Sequence, residues 1–375
     1  MLLGRVYFGD VLPAHVARID GERSAIDAAL REEMLVVGLG RSPAHPQRWN
    51  AVAVEAAGGM GAVRSVRAWL REKRPDVVHA HTLWSMLASA VARVGMRPRP
   101  VLVYEIHGAV AFEARMRRPG PGGWLRFAVL YALESAAILL ADRLLLVSDG
   151  IERYYPVARA RLRRAIPRVV PGDDGTPSRE AGAAAHAAQR FAADARARGR
   201  KVVVYSGGLS DWQMFDATAD FLRECVERAG AAALVLTSEP AAARAALAAT
   251  GLGGDDVHVA SLPNEDVAGV LRACDVGLLF RHDDVVNRVA SPTKFFEYLA
   301  AGLHVVTTPG AATIAQIVRD HELGVVCAPE HLDEAVTWVA QVDRSAPEAA
   351  RIRAVVRDRF TWRSHADALH ELYER

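Results

Sequence analysis

From Leu2 onward, short aliphatic and β-branched runs alternate with longer helical patterns, and after one interruption the alternation starts again. No other feature constrains the fold as strongly. Strand, helix and strand in repetition give parallel sheets covered by helices. In the first half, strands are predicted at 2–8, 34–38, 76–80, 101–106 and 143–147, with helices around 23–32, 61–72, 85–94 and 124–141. The turn-rich stretch 171–177 breaks the pattern, and an Ala-rich helical stretch over 179–198 reads as a connecting segment. From Lys201, strands are predicted at 202–205, 233–237, 257–260, 276–280, 304–307 and 324–327. A length of 375 residues accommodates two domains. We therefore expect an α/β chain with two doubly wound, Rossmann-like domains facing a central cleft. The boundaries expected are 1–175, a linker at 176–200 and 201–354, with a terminal helix over about 355–375 packing back on the first domain. Ligands of such sheets bind beyond the carboxyl ends of the strands.

Composition narrows the function. The chain holds 46 Lys and Arg against 44 Asp and Glu, a net charge of +2, so no overall electrostatic footprint for nucleic acid is expected. Cys225, Cys274 and Cys327 are too scattered for a metal motif or a disulfide framework, which fits a reducing cytoplasm. Residues 1–9 lack the features of a signal peptide. The apolar stretch 127–147 is interrupted by Glu134, Asp142 and Arg143, which predicts a poor membrane span.

The most informative segment is Ser291-Pro292-Thr293-Lys294-Phe295-Phe296-Glu297-Tyr298-Leu299-Ala300-Ala301-Gly302. Ser291 suits an N-cap, Pro292 a first helical position, and Gly302 the residue beyond the helix end. Lys294 in the first turn opposes the helix dipole unless an anion sits there. Glu297 lies on a neighbouring face, placed for a ribose diol. The alternative is a solvated Lys and Glu. A strand entering Ser206-Gly207-Gly208 offers a turn where backbone can approach a phosphate. Arg281, just beyond a predicted strand, suits phosphate oxygens, with Asn287 and Arg288 following; the alternative is that Arg281 and Arg288 pair with Asp283, Asp284 or another surface acid.

The run from Arg281 through Ser291–Gly302 to Val305-Val306 resembles the donor-binding region of retaining glycosyltransferases of family 4. Asp76-Val77-Val78-His79-Ala80-His81, Ile106-His107-Gly108, Ser206-Gly207-Gly208 and Ala273-Cys274-Asp275-Val276-Gly277 extend the resemblance over roughly residues 75–375. The resemblance implies a GT-B fold, a nucleotide-sugar donor held by the C-terminal domain, and a hydroxyl acceptor held mostly by the N-terminal one. That acceptor would be a glycan, a lipid-linked saccharide or a small molecule. It implies transfer with retention, no cofactor and no metal. By resemblance Glu297 holds the ribose, Ser291, Thr293 and Lys294 lie near the phosphates, Gly207 and Gly208 line the diphosphate, and His107 lies beside the transferred sugar. Two departures stand out. Val289 fills a place where many relatives carry a glutamate. The turn from Gly208 to Gln213 lacks their usual cations, a deficit that Arg281 is expected to make good.

In the N-terminal half, Gly9 and Asp10 follow the first strand and are acceptor-side candidates. His79 and His81 share a strand face, but sequence supplies no third metal ligand. Arg115, Arg117 and Arg118 form one basic cluster, and Arg159, Arg161, Arg163 and Arg164 another. Ordinary solvation is one reading of them, and peripheral contact with an anionic inner-membrane face is the other. Two rival functions share the architecture. One is a nucleotide-sugar epimerase, and the other a non-catalytic nucleotide-sugar-binding partner of another transferase.

Overall fold

The computed structural model describes residues 1–9, 13–26, 31–39, 49, 51–118, 120–167 and 182–374. The chain divides into a first unit, Met1–Pro171 with Trp362–Arg375, and a second unit, Gly172–Thr361. In the first, strands β1 (Leu2–Phe8), β2 (Arg31–Leu39), β3 (Val52–Ala56), β4 (Val77–Ala80), β5 (Val101–Ile106), β6 (Arg143–Leu146) and β7 (Leu162–Ala165) form one sheet. Their order is β3-β2-β1-β4-β5-β6-β7, and every pairing is parallel. In the second, β8 (Val202–Ser206), β9 (Ala232–Leu236), β10 (Val257–Ala260), β11 (Val276–Leu279), β12 (His304–Thr307) and β13 (Gly324–Val326) run parallel in the order β10-β9-β8-β11-β12-β13. Both units are therefore doubly wound α/β, as the alternation predicts. Strand order reverses between β1 and β4, and again between β8 and β11. These are the points where such sheets open a crevice for ligand.

Burial on both faces explains why the strands read as continuous apolar runs. All five residues of β9 are buried, as are Val202 to Tyr205 of β8. Three aspartates pin the starts of neighbouring strands. The carboxylates of Asp76, Asp142 and Asp275 accept the amides of Leu2 (2.8 Å), Leu102 (2.8 Å) and Val202 (2.7 Å). Each stands just before its own strand, so an acid followed by an aliphatic run here marks sheet register.

Several expectations need correction. No helix spans 23–32: a helix occupies Pro13–Ala25, and Arg31 already opens β2. The charged start of β2 looked like a solvated helix face. Instead Glu32 accepts from the guanidinium of Arg5 at 3.1 and 3.2 Å, across the β1–β2 pairing. The edge strands β3 and β7 escaped the sequence reading, because short half-exposed strands carry little apolar signal.

The Ala-rich stretch forms helix Ala183–Ala197, which buries Ala185, Ala188, Ala192 and Ala195 in the second unit. Arg196 pairs there with Asp275 at 3.0 Å. This part of the expected linker is thus a covering helix, and 176–181 lie outside the described residues. The terminal pattern is two helices. Ala346–Arg359 packs on the second unit. Ala366–Tyr373 packs on the first, where Arg143 donates to the Leu372 carbonyl at 3.1 Å.

The apolar helix spans Pro121–Leu140 and ends before Asp142 and Arg143, so those charges do not interrupt it. Among the described residues it is the one helix long and apolar enough to cross a membrane by length and composition. It is docked on the first unit through Glu134, Ala137 and Ile138, and Tyr131 stacks on Tyr155. The buried Glu134 receives the Tyr155 hydroxyl, and burial raises its pKa to about 7.

Candidate functional site

In the second unit, the Ser206-Gly207-Gly208 turn and the helix carrying Lys294 meet beside the strand-order reversal. Helix Thr293–Ala301 follows Pro292, which is extended (φ −68°, ψ 124°) and takes the N-cap place. Ser291 is therefore not the N-cap, and no side chain caps this helix. Proline has no amide hydrogen and a fixed φ, so it ends the extended segment here without entering the helix.

Tyr298 fastens the helix to the sheet. Its hydroxyl accepts the Ser206 amide at 2.8 Å and lies 3.3 Å from the Leu278 carbonyl. The ring passes so close to Gly277 of β11 that a Cβ there would fall 2.4 Å from it. An alanine at 277 would push the whole helix away.

Lys294 points inward along this surface. Its Nζ donates to Gln213 Oε1 at 2.7 Å and lies 4.3 Å from the Tyr205 ring centroid. A Cβ on Gly207 would sit 2.4 Å from that same nitrogen, and Gly207 has φ +144°. Gly207 is thus required twice, for its backbone and for the space the ammonium fills. The Tyr205 hydroxyl bonds the Gly208 carbonyl and lies 3.0 Å from Gln213 Oε1. The Leu209 amide donates to Glu239 at 3.3 Å. Gln213, which sequence showed only as a missing cation, is the residue that aims Lys294.

Arg281 follows the end of β11. Thr308 holds its backbone from both sides, accepting the amide at 2.8 Å and donating to the carbonyl at 2.7 Å. Its guanidinium is buried, and among the described residues its one side-chain bond is to the Phe280 carbonyl at 3.5 Å. Neither Arg281 nor Lys294 is ion-paired to a carboxylate among the described residues. Burial, and then the charge of Arg281, push the Lys294 pKa well below its ordinary value, while Glu297 acts against the shift. Burial lowers Arg281 also and raises Glu297, the latter against the pull of Lys294. A buried Arg281 and a half-buried Lys294, offset by Asp284 and Glu297 but ion-paired to no carboxylate among the described residues, form a site with cationic donors to spare. Such a site favours an oxyanion ligand.

The other candidates divide. Thr293 opens the helix, half-buried, and Ser291 is buried just before it. Asn287 is buried but committed: its amide nitrogens, backbone and side chain, both bond Asp284, at 2.9 and 2.6 Å. Arg288 pairs with Asp283 at 2.6 Å. Val289 is buried, so the place expected from the resemblance to hold a carboxylate holds a closed-in apolar side chain.

In the first unit, Gly9 ends β1 with φ +92° and bonds the Val37 carbonyl at 2.9 Å. Asp10 lies outside the described residues. His107 follows β5, and its Nε2 lies 3.5 Å from Glu105. Glu105 belongs to a buried network that sequence did not anticipate. Glu22, His79, His81 and Glu105 present ligand-type atoms within 4.8 Å of one another. The Arg5 guanidinium fills that space. It bonds Glu22, and its Nη1 lies 3.1 Å from His79 Nδ1 and 3.3 Å from His81 Nε2. Arg18 bonds Glu105.

Two guanidinium groups thus face two carboxylates. Because Arg5 only donates, the facing nitrogens of both histidines accept. His81 then keeps its proton on Nδ1, 2.5 Å from Glu105. Burial, with His79 alongside, lowers His81 to about 4, so the imidazole is neutral. Burial and the nearby Glu105 raise Glu22 to about 7. Burial alone would raise Glu105, but Arg18, His107 and the two imidazole bonds outweigh it and hold that carboxyl well below its usual range.

The second basic cluster is largely spent internally. Arg163 bonds Glu152, Arg164 bonds Glu371, and Arg161 bonds the Leu139 carbonyl. Of the first, Arg115 stacks 3.4 Å over the Trp124 ring, and Arg117 and Arg118 are exposed.

Comparison with known proteins bears on the family and the fold. No curated protein matches the sequence. The solved structure of a lipopolysaccharide outer core galactosyltransferase, WaaB, in its apo form, aligns over 99% of each chain at TM-score 0.69 and 13% identity. Anabaena HepE in complex with UDP aligns over 99% of this chain and 98% of its own, at TM-score 0.69 and 16% identity. The sucrose-phosphate synthase of Thermosynechococcus elongatus aligns over 99% and 98%, at TM-score 0.67 and 14% identity. These likenesses concern the fold. Residues 27–172 match the description "Glycosyltransferase Family 4", and residues 200–342 match "Glycosyl transferases group 1". With one match on each unit and both sheets of the expected architecture, this chain belongs to the family 4 glycosyltransferases of the GT-B fold.

Proposed function

We propose that the protein transfers a sugar from a nucleotide-diphosphate donor to a hydroxyl acceptor with retention, and that it needs no metal to do so. The observation that carries this reading is a pair of cations, the half-buried Lys294 packed against Gly207 and the buried Arg281 near enough to depress its pKa, neither ion-paired to a carboxylate among the described residues. A diphosphate supplies the missing charge, and the uncapped amino end of helix Thr293–Ala301 adds its dipole. Glu297, three residues further along, accepts from the ribose. As the bond from the anomeric carbon to the diphosphate breaks, negative charge grows on the leaving oxygen. Fixed cations in a dry site stabilise that charge without reorganising. The leaving oxygen takes the acceptor proton. The complexes of Anabaena HepE with UDP and with UDP-glucose support a uridine nucleotide sugar as donor.

The test is a thermal-shift series with nucleoside diphosphates, followed by product analysis with the matching nucleotide sugar. At a hundredfold excess over Kd, the responding diphosphate should stabilise the protein by about 2.7 kcal/mol. A response to none of them overturns the reading. Isomerised sugar formed from donor alone would show an epimerase. Binding with neither transfer nor slow hydrolysis would show a non-catalytic partner.

In this scheme His107 holds a hydroxyl of the transferred sugar, and Glu105 positions its ring. His107→Ala is expected to lower turnover by about 10²-fold or more, while binding of the diphosphate, held by the second unit, is retained. Turnover near that of the parent protein would remove His107 from the site.

A further inference from the structure

A helix that is apolar on every side is normally buried on every side. Helix Pro121–Leu140 is not: only 22% of its most apolar 18-residue window is buried, although that window has mean hydropathy 1.5. Gly123, Glu134, Ala137 and Ile138 fall on one side and dock on the first unit. Trp124, Leu125, Ala128, Val129 and Ala132 fall on the opposite arc and are all exposed, Leu125 at 70% and Trp124 at 56%. Beside them stand Arg115, Arg117, Arg118 and Arg126, with Glu113 the one accessible carboxylate of the two helices Val110–Arg117 and Pro121–Leu140. Arg115 lies on the Trp124 ring, an amphipathic pairing suited to a headgroup layer.

We propose that this face is a membrane-docking surface, on which helix Pro121–Leu140 lies in the plane of an anionic lipid leaflet with Trp124, Leu125 and Val129 inserted. Docking on the unit and the buried Glu134 keep the helix from spanning. Its outer half remains free to sink into the headgroup and acyl boundary, about 5–10 Å deep. The arginines choose the partner. A second copy of the chain would bring the same positive cluster against itself, whereas phosphatidylglycerol-type headgroups neutralise it. The inference rests on the first unit alone and is independent of the donor site.

Co-flotation of the full chain with vesicles of pure phosphatidylglycerol or pure phosphatidylcholine tests it. The protein is expected to float with the anionic vesicles, to release as salt rises, and to ignore the neutral ones. Each arginine removed at 117, 118 or 126 should weaken partitioning about fivefold. Leu125→Ser with Val129→Ser should weaken it at least tenfold, since both side chains leave the acyl boundary. All these side chains are exposed, so melting and diphosphate binding are expected to stay unchanged. That separates a docking defect from a folding defect or a failed donor site. Absence of flotation at low salt overturns the proposal. So does a stable dimer in solution that Leu125→Ser converts to monomer.

Discussion

Arg281→Ala and Lys294→Met are each expected to lower turnover by about 10²–10³-fold. Each should also weaken binding of the free diphosphate by about 1.5–3 kcal/mol, read by calorimetry. The expectation follows from burial. Arg281 is buried and Lys294 half-buried, and neither is ion-paired to a carboxylate among the described residues, so the free protein bears a desolvation cost that a diphosphate removes. The pH dependence has a fixed sign. In the free protein, burial and Arg281 depress the Lys294 pKa. The bound diphosphate raises it, so binding takes up a proton. Affinity is full below the depressed pKa and falls as pH rises through it. Lys294→Met should abolish that part of the slope as well as the affinity. An Arg281→Ala protein with unchanged affinity would mean that the guanidinium serves the backbone at Thr308 and not the ligand.

Arg5→Met should destabilise the first unit by about 3–5 kcal/mol, because it leaves the buried Glu22 without its bonded cation and only Arg18, at 3.4 Å, beside it. Urea unfolding followed by circular dichroism would measure it. Adding Glu22→Leu to Arg5→Met should recover much of the loss, since the second change removes the stranded charge. A single-mutant loss below about 1 kcal/mol would show that the network is solvated in solution. The same substitution bears on function. Arg5 and Arg18 pair with Glu22 and Glu105, and Glu105 lies 3.5 Å from His107. Loosening the network is therefore expected to disturb the imidazole of His107, and with it the role proposed for that residue.

Much of the site could be read locally. The Ser206-Gly207-Gly208 turn, Arg281 and the Lys294–Glu297 helix are each set by a few neighbouring residues. Their meaning was not local. Lys294 and the Gln213 that aims it are 81 positions apart, and the Tyr298 hydroxyl that locks helix to turn is 92 from Ser206. Ser291 has the right chemistry for a cap, yet the backbone places Pro292 there. Asn287 has the right chemistry for a ligand, yet Asp284 engages both its amides.

The first unit teaches the same lesson from its core. Arg5 lies in mid-strand, where an arginine ordinarily argues for a wet face, and its partners Glu22 and His79 are 17 and 74 positions away. The run Arg31-Glu32-Glu33 has helical character by itself and becomes strand because Arg5 waits across the ladder.

By itself, then, the sequence determined the periodicity, and with it two parallel sheets and the strand ends where polar residues gather. Periodicity is a property of neighbouring residues, so it survives in one dimension. Only the tertiary structure decided which charges are buried, which of them are ion-paired, and which apolar helix is left half bare. Desolvation and ion pairing depend on atoms brought together from distant parts of the chain.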